Sequence, residues 1–388
     1  MIKFSYKFSS YLISDIKNNF VKKHMCAKAA EVLRLCAIES PEWFSILQKY
    51  LHYDNLIRIV FAKAKDLPLI KHQFSENLSI IDERYNPQLF FKKMMIDDYY
   101  LSLNLNSKNN KNKIMLYKNI MIVELTRLEK IEKSYFAGYF RDRLLLANTP
   151  VLVKKELKAI KSLKNGFTKE LRFHFSSVFP KWVELIPDIF KYNLLSVKFG
   201  YDIVISSGLS ICPFCNEEKI KVIKGNHRNF RPALDHFYAK SKYPYLGVSL
   251  YNLMPIGERC NSAFKSDADM FDGFMNPLIS GMNENQVFDF TYNIISNSVD
   301  FEIIEDDDFL LNKMLFELDG VYNTNEYKRK YLDFRYLYIY FKGLRTPTPF
   351  YENSELMNSA FNISKSKGYN TWPAKKFELD ALEDIFKN

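Results

Sequence analysis

Apolar residues recur at three- and four-residue spacing from Tyr11 to Ile38, with Leu12, Ile16, Phe20, Ala30, Leu33 and Ala37 along the run, which predicts a helix. Ser40-Pro41-Glu42 reads as an N-cap followed by proline at the first helical position. Asp54 reads as the cap of a further helix through Leu56, Ile57, Val60 and Phe61 that Pro68 ends. The run NLNSKNNKNK, Asn104 to Lys113, is too polar to enter a core and predicts an exposed, mobile loop. From Ile114 to about Leu146 the pattern predicts one long or kinked helix, with Gly138 as its weakest point. Past Pro277 the period changes to two. Val287 to Tyr292 and Val299 to Ile303 predict two strands joined through Ser296-Asn297-Ser298. The acidic run Glu305 to Asp308 reads as a turn in preference to a second metal site. Asn325 to Lys342 returns to a helical period, and Glu378 to Phe386 predicts a small amphipathic helix.

With 388 residues, 47% hydrophobic and 16% aromatic, the chain can bury a substantial core in two or three units, and a mainly disordered protein is excluded. It shows no charged start followed by an apolar run and a small-residue cleavage site, and no apolar run long enough to span a bilayer. A cytoplasmic protein without a membrane segment is therefore expected. The five cysteines form no secreted disulfide framework: Cys26 and Cys36 are isolated and read as small buried hydrophobes, whereas Cys212, Cys215 and Cys260 are grouped. The formal net charge of +10 is concentrated. Between Lys219 and Lys265 there are nine Lys and Arg against two acids, as expected of a surface that holds a polyanion.

The candidate chemistry lies in that same stretch. Cys212-Pro213-Phe214-Cys215 is followed by Asp235-His236, then Asn252, then Cys260-Asn261 and Lys265. A phosphodiester hydrolase needs a divalent cation against the developing negative charge and a base for the attacking water. One carboxylate and one amide oxygen suit Mg²⁺, which keeps several waters, so Asp235 and Asn261 are the candidate ligands. His236 is the candidate base, with Asn252 holding its ring in the required tautomer. A β-hairpin over Lys219 to Lys224 and Asn229 to Leu234, followed by a helix from Cys260-Asn261, would put free N–H groups of its first turn near a phosphate. Lys240, Lys242, Arg259 and Lys265 are the candidate phosphate contacts.

These residues, in this order, resemble the HNH endonuclease family. The likeness covers about Leu209 to Pro277. Leu234 to Pro244 and Tyr251 to Pro255 are similar to a bacterial subgroup that includes nuclease subunits of anti-phage defence systems, such as the PtuB partner of Septu. The resemblance implies a ββα-metal core, Mg²⁺ or Mn²⁺ held by Asp235 and Asn261, His236 as general base supported by Asn252, DNA as substrate and an ATPase as partner. Members of the family carry a second cysteine pair and a four-cysteine structural zinc, but here that pair is Gly257 and Cys260. Cys212, Cys215 and Cys260 remain, with His227 the nearest candidate for a fourth ligand; the alternative is that packing replaces zinc. The fold expected is α+β: a mostly helical part over 1–200 for regulation or docking, the nuclease core over 201–280, and a hairpin and helical extension over 281–388. Two other readings are a catalytically silent nucleic-acid-binding module and a bacteriocin-type nuclease toxin with an inhibitor.

Overall fold

The computed structural model describes residues 1–91, 94–165, 177–266, 268–271, 273–283, 285–304, 306–343, 361 and 368–387. The architecture is α+β, with a helical first half and three small two-stranded antiparallel sheets in the second. No helix among the described residues is long and apolar enough to cross a membrane.

The helix expected over Tyr11 to Ile38 is present as Ser10–Asp15, a π-helical Ile16–Met25 and Cys26–Glu39; Leu12, Ile16 and Phe20 of the expected stripe are buried, but in its second half Ala29, Val32 and Cys36 face the core while Ala30 and Ala37 are exposed and Leu33 is half-buried. Pro41 opens helix Pro41–Tyr50 as expected. Helix Tyr53–Phe61 is capped by His52 and not by Asp54, which falls in its first turn. Pro68 does not end that helix; it sits in the first turn of the next one, Leu67–Asn77, where its missing N–H costs nothing.

Two expectations for the middle of this half are corrected. The polar run Asn104 to Lys113 is only partly a loop, because helix Lys108–Glu132 begins inside it. Ile114, Tyr117, Met121, Leu125 and Leu128 bury one face of that helix, and a nucleated helix extends outward through exposed Asn and Lys at little cost. The break before Leu146 falls at Lys133-Ser134 and not at Gly138. Lys133 is left-handed (φ 52°), Ser134 caps helix Tyr135–Leu146, and the buried Glu83 carboxylate accepts from the Ser134 hydroxyl (2.5 Å) and the Tyr135 and Phe136 N–H groups (3.1 and 2.8 Å). Gly138 lies inside that helix, where a Cβ would meet only the far end of the Glu129 side chain, at 2.8 Å from its carboxylate.

Burial pushes the Glu83 carboxyl up to about 7, against the hydrogen bonds that lower it. Because the folded value lies above the unfolded one, this group's contribution is fully present below about pH 4.5 and is lost as pH rises through 7. Glu83→Gln, which keeps an acceptor but cannot ionise, is therefore expected to gain on wild type by about 3 kcal/mol between pH 4.5 and 8 in urea titrations. A difference independent of pH would refute this.

The boundary expected at 200/201 falls inside helix Tyr192–Ser207, which belongs to both parts: its Tyr192 hydroxyl donates to the Leu234 carbonyl at 2.8 Å. The helical half also holds the 243–249 segment. Tyr245 stacks on Phe74 (3.9 Å between centroids) and donates to Asp82 (3.0 Å), Asn86 donates to the Tyr243 hydroxyl (3.1 Å), and Ser249 donates to the Ile59 carbonyl (2.8 Å).

In the second half the expected single hairpin is divided. β1 (Ile223–Lys224) pairs with β2 (Asn229–Phe230), and β3 (Ala233–His236) pairs instead with β4 (Leu253–Ile256). Pro232, which has no N–H to donate, stands at the division. β5 (Phe288–Asn293) and β6 (Ser298–Ile303) form the expected second hairpin, burying Phe288, Phe290, Val299, Phe301 and Ile303 against helices Asn325–Gly343 and Lys375–Lys387. Asp306 caps helix Asp307–Leu315, so the acidic run begins a helix; its Glu305 lies outside the described residues.

Candidate active site

Asp235 and His236 end β3, opposite Met254 and Leu253 of β4, and a short π-helix, Arg259–Lys265, follows β4. The end of that helix returns to β3. The Lys265 ammonium is 2.8 Å from Asp235 Oδ2 and donates to the His236 carbonyl at 2.9 Å, and Lys265 is only 2% exposed. This corrects its assignment as a phosphate contact: its charge is spent inside the module, where it ties the helix to the strand end.

His236 is buried, with its ring edge-on to Tyr192 (4.5 Å between centroids) and Nε2 2.9 Å from the Gly247 carbonyl. A carbonyl only accepts, so Nε2 carries the proton and Nδ1 the lone pair. Burial, followed by the Lys240 and Lys265 charges, pushes the imidazole down to about 3, so the ring is neutral near neutral pH. Asn252 makes no hydrogen bond to that ring. Its Oδ1 accepts from the Tyr238 N–H (2.8 Å) and its Nδ2 donates to the Tyr238 and Leu246 carbonyls (both 3.0 Å), so it pins both ends of the loop that carries Gly247. The expected tautomer support is thus exerted by a backbone carbonyl, with Asn252 one step behind it. Asn252→Ala leaves these buried backbone groups unpaired and is expected to cost about 2–3 kcal/mol in urea denaturation. An unchanged midpoint would refute its role as a pin.

The other expected cations separate. Lys240 is exposed, with its ammonium 4.2 Å from the Tyr192 ring centre and within electrostatic reach of Asp235. Lys242 faces Asp269 at 3.4 Å, and Arg259 is paired with Glu217 at 2.5 Å and touches the Cys215 sulfur. These two are corrected from phosphate contacts to internal pairs. Asn261 is partly exposed in the short helix, four residues before Lys265. Its N–H is not free for a phosphate but bonds the Gly257 carbonyl at 2.9 Å, and the N–H groups of Glu258 and Arg259 are taken by the Glu218 carboxylate (2.7 and 3.5 Å).

The Sγ atoms of Cys212, Cys215 and Cys260 all lie within 4.8 Å of one another, and all three residues are buried. Left-handed Asn216 (φ 55°) turns the chain between the first pair and Glu218, and the Cys212 N–H bonds the Glu218 carbonyl at 2.8 Å. Three convergent thiols can bind a soft or borderline metal such as zinc. His227 is corrected as the fourth ligand, because it is exposed at the tip of the β1–β2 hairpin and lies outside this cluster.

Comparison of the chain with family models, with curated proteins and with solved structures finds no match. The residues that sequence reasoning missed are Gly247 and Tyr192. Gly247 acts through its carbonyl, which every residue type has, and Tyr192 lies forty-four positions before the residue it covers.

Proposed function

We propose that the chain is a divalent-metal-dependent endonuclease acting on DNA, with its site at the end of β3. The observation that supports this reading is the return of the short helix after β4 onto the strand end that carries Asp235 and His236. Asp235 Oδ2 takes the Lys265 ammonium, and among the described residues no other hydrogen bond reaches this carboxylate, so Oδ1 is available to a hard cation. Asp235 and Asn261 would hold Mg²⁺ or Mn²⁺, which supplies compensation for the charge developing on the phosphate.

The chain's own residues supply the rest. Lys240 draws the phosphate, and an anion there opposes the positive field that lowers His236. His236 takes the proton of the attacking water at Nδ1, while Nε2 stays fixed on Gly247. The β1–β2 hairpin, with Lys221, Lys224 and Arg228 exposed, adds a basic arm suited to the DNA backbone.

The test is incubation of the purified chain with supercoiled plasmid and Mg²⁺ or Mn²⁺. Nicked or linear product that chelation prevents is the expected result. Salt-sensitive binding without product under any divalent ion would favour the silent binding module.

A further inference from the structure

The three buried thiols leave a tetrahedral metal one ligand short, and a carboxylate that lies outside the sulfur cluster itself stands against the backbone of Gly257. Gly257 precedes Cys260 by three residues, and the Asn261 N–H bonds its carbonyl at 2.9 Å. A Cβ built on Gly257 would meet Glu218 Oε2 at 2.0 Å and Glu218 Cδ at 2.3 Å. The carboxylate therefore occupies the space that a side chain at position 257 would need. Glu218 also belongs to the cysteine turn itself, since its N–H lies 3.5 Å from the Cys215 sulfur.

The two oxygens of this carboxylate differ. Oε1 accepts the Glu258 N–H at 2.7 Å, whereas Oε2 is buried without a hydrogen-bond partner. A buried anionic oxygen with no donor is costly and calls for a compensating group, and a cation among the neighbouring thiols is such a group.

We propose that Glu218 is the fourth ligand of a Cys212/Cys215/Cys260 zinc site, replacing the side chain that Gly257 lacks. Zinc accepts carboxylate oxygen as well as thiolate. To hold the metal, Oε2 would have to move in toward the sulfurs, and the Arg259 guanidinium, paired with Glu217, would offset the added negative charge. Gly257 is then a requirement of the site: any Cβ there collides with the ligand. This proposal does not depend on the nuclease reading.

The experiment uses the full chain loaded with Zn²⁺ and desalted, with zinc measured by mass spectrometry, affinity by competition with a chromophoric chelator, and coordination by the absorption of the Co²⁺ form. Wild type is expected to hold about one zinc per chain, and Cys215→Ala to lose it. Glu218→Gln is expected to bind on the order of 10–100-fold more weakly and to change the Co²⁺ ligand-field bands. The double variant Glu218→Ala with Gly257→Cys is expected to regain tight binding, with sulfur-to-cobalt charge transfer stronger by about one third from its fourth thiolate. That recovery separates loss of a ligand from loss of folding. Unchanged zinc affinity and Co²⁺ spectrum in Glu218→Gln, alongside zinc loss in Cys215→Ala, would overturn the role of Glu218; absence of zinc from loaded wild type would overturn the site altogether.

Discussion

Replacing His236 with alanine is expected to lower the rate of plasmid cleavage by about 10²–10⁴-fold while leaving DNA binding in place. The direction follows from the tautomer. With Nε2 committed to the Gly247 carbonyl, Nδ1 is the ring atom with a lone pair, and no other imidazole among the described residues is placed beside Asp235. The ring is buried against Tyr192, so its removal also leaves a cavity, and a loss of about 2–3 kcal/mol of stability is expected from lost packing. Rate and stability therefore need separate readouts: cleavage time courses with Mn²⁺ well below the melting midpoint, and binding to the same plasmid at matched salt. Cleavage at the wild-type rate by a folded His236→Ala would remove the imidazole from the mechanism. Loss of binding together with cleavage would instead make His236 a packing residue.

What the sequence made legible here follows the range of each interaction. The helices at Ser10–Glu39, Pro41–Tyr50 and Lys375–Lys387 and the β5–β6 hairpin were readable because a stripe or an alternation of apolar residues is a local pattern that burial enforces. The helix break at Lys133-Ser134 was not, because the carboxylate that holds the capping Ser134 and the first N–H groups of the new helix belongs to Glu83, some fifty residues earlier. The same holds at the candidate site. Asp235, His236 and the three cysteines stood out by residue type and order, and the fold brings the three cysteines together. The partners that decide their states are a glycine carbonyl, a lysine recruited from the following helix and a carboxylate filling a glycine's missing side chain. None of these has a signature in spacing. The count of basic residues from Lys219 to Lys265 describes composition alone, and three of the four cations singled out for phosphate pair with acids of the chain. Charge composition reports what a segment carries, while pairing is fixed only by tertiary contacts.

Lys265 is where that distinction has its largest expected consequence. Its ammonium is almost wholly removed from water and is bonded to both residues of the strand end, while the Asp235 carboxylate remains partly exposed. Lys265→Met keeps the aliphatic stem but leaves a carboxylate without its counter-charge and the His236 carbonyl without a donor. Breaking a buried pair costs about 3–5 kcal/mol, and the partial exposure of Asp235 lowers the expected loss in chelator to about 2–4 kcal/mol. A divalent ion should then have the opposite effect. With the competing ammonium gone, Mg²⁺ meets an unneutralised carboxylate and is expected to bind at least about tenfold more tightly than to wild type. Because a ligand that binds only the folded state stabilises it by RT ln(1 + [L]/Kd), added Mg²⁺ should raise the urea midpoint of Lys265→Met more than that of wild type. The same increment in both proteins would mean that the ion does not sit on Asp235, and the metal assignment would then have to leave the end of β3.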